Sequence, residues 1–437
     1  MSKYPTKLRI AILTDDFYPH SGGVARSIEL QINELSRAGH KVTLFAPKTY
    51  LNPPKNCDYQ ALDVWRLPGT PSYLCSVKFS RRLAEDIAAK YQFDIIHSQN
   101  ERGSLFLGSR LAHLMHIPHV HTFHSNYAAT HHTSPLASAL NSLIYLHLAP
   151  LIMRLLNPHR TRNKVFLPQH LEAGENSFLA RSDWKNVAKL ASYTDAFSSP
   201  AQFMIDALLD ASRGTLSKQA FVVPNGISPI FSVVQRRRPS EETLRFLCCC
   251  RLDPEKRVDV LINAFALLEL DNAELYIVGS GSQLVKLKRL SERAVKHGRV
   301  VFRGKYDDVE LLAQEYADAD AFVLTSYRFD TQGMVLAEAA AAGTPIVYCD
   351  DRLKVGVSPQ NALLVDPSAE AIAEGMRKLA DNPALIKEMS AASRKVGIAM
   401  SATAMMEKYI DVYQQALNRQ PLIQLKYETP QFHTERS

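Results

Sequence analysis

The stretch YRFDTQGMVLAEAAAAGTPIVYCD, residues 327–350, follows a short apolar run at residues 320–325 and contains a second one at residues 344–349. Between the runs the pattern predicts a helix that begins near Gln332 and ends at Gly343, because glycine suits the left-handed position after a last helical turn. A buried strand, a polar turn, a short Ala-rich helix and another buried strand form a βαβ unit of a parallel sheet. The stretch therefore predicts an α/β fold.

Two carboxylates flank the predicted helix, with Asp330 in the loop before it and Glu338 about two turns further on. Gly333 removes a side chain at the helix N-terminus and leaves the amides of Gly333, Met334 and Val335 open to an anion. A phosphate flanked by hydroxyl-bearing rings fits such a site. An acid at each end of a surface helix is also a common cap or solvated charge, so the pair by itself leaves both interpretations open.

The whole string, Acid–x–x–Gly–x–x–x–x–Glu–Ala–x–x–x–Gly–x–Pro, resembles the nucleotide-sugar site of retaining family-4 glycosyltransferases with the GT-B fold. That family usually has glutamate where this chain has Asp330, which keeps the charge on an arm shorter by one methylene. The resemblance implies two doubly wound Rossmann-like domains that face each other across a cleft. It also implies a nucleotide-diphosphate sugar as the donor substrate, with no cofactor and no essential metal.

Size and composition agree with a two-domain globular protein, since 437 residues are 46% hydrophobic and 22% charged. The 51 basic and 44 acidic residues leave a net charge of +7, which suits an anionic substrate or membrane surface, and nucleic acid nearly as well. The first residues enter a strand pattern directly, so no cleavable signal peptide is expected. Three adjacent cysteines at 248–250 and no C-x-x-C pair suit buried thiols in a reducing cytoplasm.

The first half, residues 1–226, reads as one Rossmann-like domain. A strand at residues 8–13 is followed by a loop with Gly22 and Gly23 and a helix to Ala38, which is the opening βα unit of a doubly wound sheet. The resemblance implies that this glycine pair contacts the donor phosphate and the acceptor. Further short apolar strands are predicted at residues 41–46, 63–67, 94–98, 118–122, 195–198 and 219–223.

His124 comes just past the strand at residues 118–122, at the sheet edge where open α/β sheets bind ligands. A lone histidine there is more often structural, but the string TFHSNY resembles the family's histidine that touches the donor sugar near the reacting carbon. The neighbouring His131 and His132 suggest a metal. Adjacent histidines diverge on most backbones and no carboxylate is near in sequence, so we expect no metal site.

Residues 135–168 combine an apolar stripe with a basic end. Apolar residues recur at helical spacing, and cations follow: Leu136, Leu140, Ile144, Leu148, Leu151, Ile152 and Leu155, then Arg154, His159, Arg160, Arg162 and Lys164. Polar interruptions argue against a membrane span. The segment fits a helix on an anionic bilayer surface and equally an amphipathic helix packed on its domain. The family resemblance favours the membrane.

The second half repeats the doubly wound pattern at residues 244–400, after a linker at residues 227–243 whose triplet Arg236–Arg238 is interpreted as a solvated charge run. Arg251 ends the first strand and Lys256 lies in the next turn, where two cations can neutralise a diphosphate. As R-x-x-x-x-K after a strand, they resemble the family's diphosphate clamp.

Gly279 ends the next strand in a turn suited to close backbone approach, and Lys305 and Tyr306 resemble the family's nucleobase-facing loop. The D-x-D string at residues 318–320 lies at the start of a buried strand, away from the carboxyl edge, so we interpret it as structural. Residues 401–418 are expected to form a helix that crosses back to the first domain, and residues 419–437 a polar tail.

Within the family, HSNYAATHHTSP and the D-T-Q-G string are similar to bacterial diacylglycerol α-glucosyltransferases, and phosphatidylinositol mannosyltransferases share the string TFH. The predicted function is retaining transfer of a hexose from UDP-glucose, GDP-mannose or a similar donor to a membrane lipid, by a cytoplasmic protein peripheral to the inner face of the membrane. Alternatives are transfer to a soluble or polyprenyl-linked saccharide and sugar-nucleotide epimerisation. Nucleic-acid binding ranks last, because interleaved aromatics on a basic face are lacking.

Overall fold

Two parallel sheets organise the chain, each with helices on its faces. The computed structural model describes residues 7–16, 22–48, 53–66, 75–133, 141–158, 163–171, 177–238 and 243–418. The strands are predominantly apolar because helices cover both faces of a parallel sheet. The doubly wound α/β class predicted from the sequence is confirmed.

The first sheet has seven parallel strands. In spatial order they are β3 (Asp58–Leu62), β2 (Lys41–Pro47), β1 (Arg9–Leu13), β6 (Ile95–Ser98), β7 (His119–Thr122), β8 (Ala196–Ser199) and β9 (Ala220–Val222). The remaining two strands of this half, β4 (Val64–Arg66) and β5 (Cys75–Val77), form a separate antiparallel pair.

The strand predicted at residues 63–67 is confirmed as β4, but it belongs to the antiparallel pair and not to the main sheet. The edge position belongs to β3, whose sequence DYQAL lacks an apolar run and leaves most of its side chains partly or fully exposed. An edge strand needs only one hydrogen-bonded neighbour and little burial, so its sequence carries a weak signal.

The second sheet has six parallel strands. In spatial order they are β12 (Arg299–Gly304), β11 (Ala273–Val278), β10 (Leu244–Cys249), β13 (Ala321–Leu324), β14 (Ile346–Tyr348) and β15 (Ala362–Leu364). The apolar runs predicted before and after the Ala-rich helix are β13 and β14, which pair in register from Phe322 with Ile346.

Most of the described helices connect consecutive strands, and the last three follow the final strand. They are α1 (Gly23–Arg37), α2 (Arg81–Lys90), α3 (Gly103–Met115), α4 (Tyr127–Thr133), α5 (Leu146–Leu156), α6 (Phe178–Ala191), α7 (Gln202–Ala211), α8 (Ile230–Val233), α9 (Val258–Ala266), α10 (Leu284–Ala294), α11 (Val309–Asp318), α12 (Met334–Ala342), α13 (Ala369–Ala380), α14 (Pro383–Ile398) and α15 (Ala402–Asn418). A π-helical turn at Asn141–Tyr145 precedes α5, and a 3₁₀ turn at Pro254–Lys256 precedes α9.

The last helix, α15, packs on the first domain although it follows the second in sequence. Met405, Tyr409 and Tyr413 recur every four residues and are buried in the core that also contains Ile28 and Ile32 of α1. This helix covers the first sheet with side chains from the far end of the chain.

The segment between the sheets is held against the second domain. Phe231 of α8 is fully buried and meets Tyr316 edge to face, with ring centroids 5.6 Å apart. The solvated charge run expected at residues 236–238 is wrong. Arg236 and Arg238 both pair with Asp320, the former at 2.7 Å, because this carboxylate at the start of β13 lies next to the linker.

The segment at residues 141–158 packs on its domain through one face only. Leu146, Ala149 and Met153 are buried against α6 and its neighbours. Four residues of the predicted stripe lie on the other side and are each at least half exposed, as is Leu143: Ile144, Leu148, Leu151 and Leu155. Ile152, which also belongs to the stripe, packs against the buried core. Five of the residues predicted for this segment, Leu136, Leu140, His159, Arg160 and Arg162, lie outside the described residues.

Candidate active site

The carboxyl ends of the strands of both domains enclose a cavity of about 230 Å³. Its lining includes residues from both halves of the chain, at the positions where doubly wound sheets bind ligands. Nine residues predicted from the sequence line it: Gly22, Gly23, Arg251, Gly279, Lys305, Tyr306, Met334, Val335 and Glu338.

The helix α12 begins at this cavity. Gly333 is its N-terminal cap with φ of 69°, a left-handed conformation that favours glycine. The amides of Met334 and Val335 belong to the first turn, where a helix has no carbonyl four residues earlier to accept their hydrogen bonds. An anion in the cavity therefore meets open donors and the positive end of the helix dipole.

Glu338 brings a buried carboxylate to the same cavity. It accepts a hydrogen bond of 3.0 Å from Tyr316 Oη, and Arg26 Nη1 lies 3.8 Å from its Oε1. Burial raises the pKa of Glu338 above its usual range, while the Arg26 charge acts in the opposite direction. The carboxylate has capacity for further donors, such as a pair of ribose hydroxyls.

Arg26 is a site residue that the sequence reasoning missed. It lies on α1 in the first domain, yet it lines the cavity and approaches Glu338 of the second domain. Its position three residues after Gly23, on the helix that the glycine pair opens, is the signal that could have found it. The cavity thus receives cations from both domains.

Lys256 and Asp330 form a direct ion pair next to the start of α12. Their side chains are only 12% and 16% exposed. Burial alone raises the pKa of Asp330, but the charge and hydrogen bond of Lys256 outweigh it and hold the pKa below its usual range. The Ser326 hydroxyl lowers the pKa of Asp330 further through a side-chain hydrogen bond.

Arg251 is another cation that lines the cavity. Its guanidinium binds Asp253 at 2.7 Å and Glu255 at 2.6 Å, and its side chain is more than half exposed. Both predicted clamp cations, Arg251 and Lys256, thus have carboxylate partners in this structure. A diphosphate has to compete with those partners to reach them.

His124 lies against the loop that carries Asp330, because its carbonyl accepts a 2.9 Å hydrogen bond from Thr331 Oγ1. The imidazole Nε2 is 2.9 Å from Gln99 Oε1. Burial lowers the pKa of His124 to about 4, so the ring is neutral at physiological pH. In a second contact between the two halves of the chain, Asn225 N donates to Gln332 Oε1 at 2.7 Å.

Glu101 is a second missed residue and holds the His124 loop in place. Its Oε1 accepts hydrogen bonds from the amides of His124 at 3.0 Å and Ser125 at 3.2 Å. Burial raises its pKa to about 6. Glu101 comes three residues after Ser98, the last residue of β6, at the sheet edge where functional residues were expected, and this position was the available signal.

The two metal-like sequence patterns, at His131–His132 and at residues 318–320, have other contacts among the described residues. His131 Nε2 bonds Asp183 Oδ2 at 2.7 Å, so its carboxylate partner is close in space though distant in sequence. Asp320 holds linker arginines instead of facing the cavity. Across the part of the chain that the structure describes, no group of three His, Cys, Asp or Glu residues could hold a metal ion.

Fold and cavity define an α/β protein with two Rossmann-like domains and a cavity lined by residues of both. A family model described as "Glycosyltransferase Family 4" matches residues 21–230, and one described as "Glycosyl transferases group 1" matches residues 233–396. The chain belongs to the family-4 glycosyltransferases with the GT-B fold. It is a glycosyltransferase of hexosyltransferase type.

Several characterised proteins are similar along most of their length. An alpha-monoglucosyldiacylglycerol synthase of Streptococcus pneumoniae is 27% identical over 363 residues, covering 78% of this chain and 70% of the relative. A GDP-mannose-dependent alpha-mannosyltransferase of Mycolicibacterium smegmatis is 26% identical, covering 78% and 80%. The crystal structure of Anabaena HepE in complex with UDP and glucose has a TM-score of 0.65 at 16% identity, covering 93% of this chain and 99% of HepE.

Proposed function

We propose that this protein transfers a hexose, with retention of the anomeric configuration, from a nucleotide-diphosphate sugar to a membrane lipid such as diacylglycerol or a glycolipid. The observation that carries the proposal is the cavity between the domains. It joins open helix amides and the cations Arg26, Arg251 and Lys305 to the buried carboxylate of Glu338. One wall suits a diphosphate and the other suits ring hydroxyls.

The site residues divide the work of the reaction. Arg251 and Lys256, with the amides at the start of α12, stabilise the diphosphate as it leaves. Asp330 and His124 bind hydroxyls of the sugar, and Glu338 binds the ribose. The departing phosphate oxygen takes the proton of the acceptor hydroxyl on the same face of the sugar, so a carboxylate nucleophile on the opposite face is not needed. This scheme requires no metal.

Ligand entry has to rearrange existing ion pairs. Lys256 is bound to Asp330 and Arg251 to two carboxylates, so the donor phosphates replace carboxylate partners rather than meeting free cations. Releasing Asp330 from Lys256 frees its oxygens for the sugar. This exchange couples phosphate binding to sugar binding. Lys256 can bind the phosphate fully only when it leaves Asp330, and Asp330 can bind the sugar fully only when it leaves Lys256.

The names of the relatives support the choice of substrates. The Streptococcus pneumoniae relative is named for a glucosyldiacylglycerol product, the Mycolicibacterium smegmatis relative for GDP-mannose, and HepE binds UDP and glucose. A lipid acceptor with a UDP-glucose or GDP-mannose donor follows from them as a proposal for this chain.

The exposed face of α5 suits a membrane surface. Leu148, Leu151 and Leu155 are at least half exposed, while Arg154 and Lys164 are exposed close by. Apolar side chains with adjacent cations bind an anionic bilayer by burying the former and pairing the latter with headgroups. Among the described helices, none has the length and apolar character to cross a membrane. We therefore propose peripheral binding at the cytoplasmic face.

The proposal is tested with purified protein and anionic vesicles that contain diacylglycerol. Separate reactions receive radiolabelled UDP-glucose or GDP-mannose, and lipid-extractable label is measured. The anomeric configuration of the product is read by NMR. Transfer of label only to a soluble saccharide would identify a saccharide glycosyltransferase instead. Conversion of the donor sugar without any acceptor would identify an epimerase. Either result would refute transfer to a lipid.

A further inference from the structure

A chain of buried hydrogen bonds runs from His124 into the core of the first domain. His124 Nε2 is 2.9 Å from Gln99 Oε1, and Gln99 Nε2 donates to Gln31 Oε1 at 2.7 Å. Gln31 Nε2 then donates to Tyr413 Oη at 2.9 Å. Gln31, Gln99 and Tyr413 are each at most 1% exposed, so the chain is sealed from water along its length.

The hydrogen bonds along this network have a defined donor-to-acceptor direction. Tyr413 Oη accepts from Gln31 and is 2.7 Å from His97 Nδ1, to which it can donate its own proton. In the structure Gln31 turns its carbonyl oxygen to Gln99, and the NH₂ group of Gln99 donates to that oxygen. The carbonyl oxygen of Gln99 is then the atom that faces His124, and a carbonyl oxygen only accepts.

This direction selects one tautomer of His124. A neutral imidazole carries one N–H, and the acceptor at Gln99 Oε1 requires that it be Nε2–H. His124 Nδ1 is then an unprotonated acceptor. It is buried and has no hydrogen-bond partner within the described parts of the chain. A buried acceptor without a partner is an unsatisfied group that a substrate hydroxyl can satisfy.

We propose that Gln99, oriented by Gln31, is a positioning residue that holds His124 in the Nε2–H tautomer with Nδ1 ready to accept a substrate hydroxyl. The assignment of a substrate hydroxyl as the ligand rests on the proposed sugar transfer. The assignment of the tautomer does not depend on it. Tyr413 anchors the chain from α15, so the crossing helix reaches the reacting region through two glutamines. Apolar side chains of equal size would fill this core without the cost of satisfying buried amides, which makes a purely structural reason for them weak.

The first test measures the tautomer by long-range ¹H–¹⁵N NMR of protein with labelled histidine, with the His124 signal assigned from a His124→Gln spectrum. The unmodified protein is expected to show a protonated Nε2 and an unprotonated Nδ1. In Gln99→Met and in Gln31→Met, the Nε2–H signal should lose its hydrogen-bonded shift and exchange faster with water. A protonated Nδ1 in the unmodified protein, or an unchanged signal in Gln99→Met, would overturn the proposal.

The second test measures steady-state transfer with the same variants. Gln99→Met is expected to lower kcat about tenfold, the effect of one ordinary hydrogen bond, with little change in the KM for the donor. Gln202→Met is the matched control, since Gln202 is an exposed glutamine bonded to Asp206 at 2.8 Å on α7. Wild-type kcat in Gln99→Met refutes the positioning role. If the unmodified protein transfers no sugar, the proposed function fails while the NMR result still decides the tautomer.

Discussion

Replacing Lys256 by methionine tests the central ion pair of the site. The change keeps the length of the side chain and removes the charge that faces Asp330, a pair whose side chains are 12% and 16% exposed. Breaking a buried pair by removing one member leaves the other charge uncompensated, which typically costs about 3–5 kcal/mol. We expect a loss at the low end of this range, about 3 kcal/mol at neutral pH, since both side chains retain some contact with water.

The pH dependence of that loss has a defined sign. With Lys256 present, the folded pKa of Asp330 is below its ordinary value, so its contribution to stability exists at neutral pH and is lost as pH falls through the folded pKa. Without Lys256, burial, the largest influence on the pKa of Asp330, is opposed only by the Ser326 hydrogen bond and the Arg251 charge, and we expect it to raise the pKa above its unfolded value. The penalty is then present at neutral pH and fades as acidification protonates the carboxyl group.

The assay is urea unfolding followed by far-UV circular dichroism, at neutral pH and about two units lower. The double variant Lys256→Met/Asp330→Asn should recover most of the stability at neutral pH, because it removes the uncompensated charge. Equal stability of the single and double variants, or the same loss at both pH values, would contradict the pairing and burial described for Asp330.

Turnover separates the role of Lys256 in catalysis from its role in folding. Loss of one charge-stabilising donor at a reacting centre lowers kcat by about 10²–10³-fold. Both variants that lack Lys256 should show this loss, including the double variant that regains stability. Lys286→Met, at an exposed lysine of α10, is the control. Near-normal turnover in Lys256→Met would remove this residue from the mechanism.

Three further variants address other parts of the site. Arg26→Met should raise the KM for the donor about tenfold, since one charged hydrogen bond is lost, and isothermal titration with the nucleotide diphosphate checks it. Gly333→Ala should lower the free energy of unfolding by about 1 kcal/mol and raise the KM for the donor. Gly214→Ala is the control: Gly214 has a similarly positive φ and open space around it, so only the free energy of unfolding should fall. Leu148→Ser with Leu155→Ser should weaken flotation with anionic vesicles by at least about tenfold and change stability by less than about 0.5 kcal/mol, and unchanged flotation would exclude this face as the membrane contact.

Most strands and the helix at the site could be predicted from local sequence patterns. The helix expected from near Gln332 to Gly343 is α12, at Met334–Ala342, and both of its glycine caps adopt positive φ. Buried parallel strands have to be continuous apolar runs, so β13 and β14 were visible in the sequence. The edge strand β3 could not be predicted in this way, because it needs little burial and its polar sequence resembles a loop.

Most errors concerned partners far apart in sequence. The arginines at 236–238 were assigned to solvent because nothing near them is acidic, yet Asp320 lies beside them in the fold. His131 seemed to lack a carboxylate until α6 brought Asp183 to it. Arg26 drew no attention because its counter-charge, Glu338, belongs to the other domain. Long-range charge pairing leaves no periodic trace in a chain.

The sequence by itself determined the α/β class, the two-domain plan and the residue types at the carboxyl edges of the strands, because apolar runs, helix caps and glycine turns are local properties. Only the tertiary structure decided which of those residues meet. The pairing of Lys256 with Asp330, the approach of Arg26 to Glu338 and the hydrogen bond between Gln99 and Gln31 each join residues at least 60 positions apart. Such contacts depend on how two sheets and a returning helix pack, and packing is a property of the whole chain.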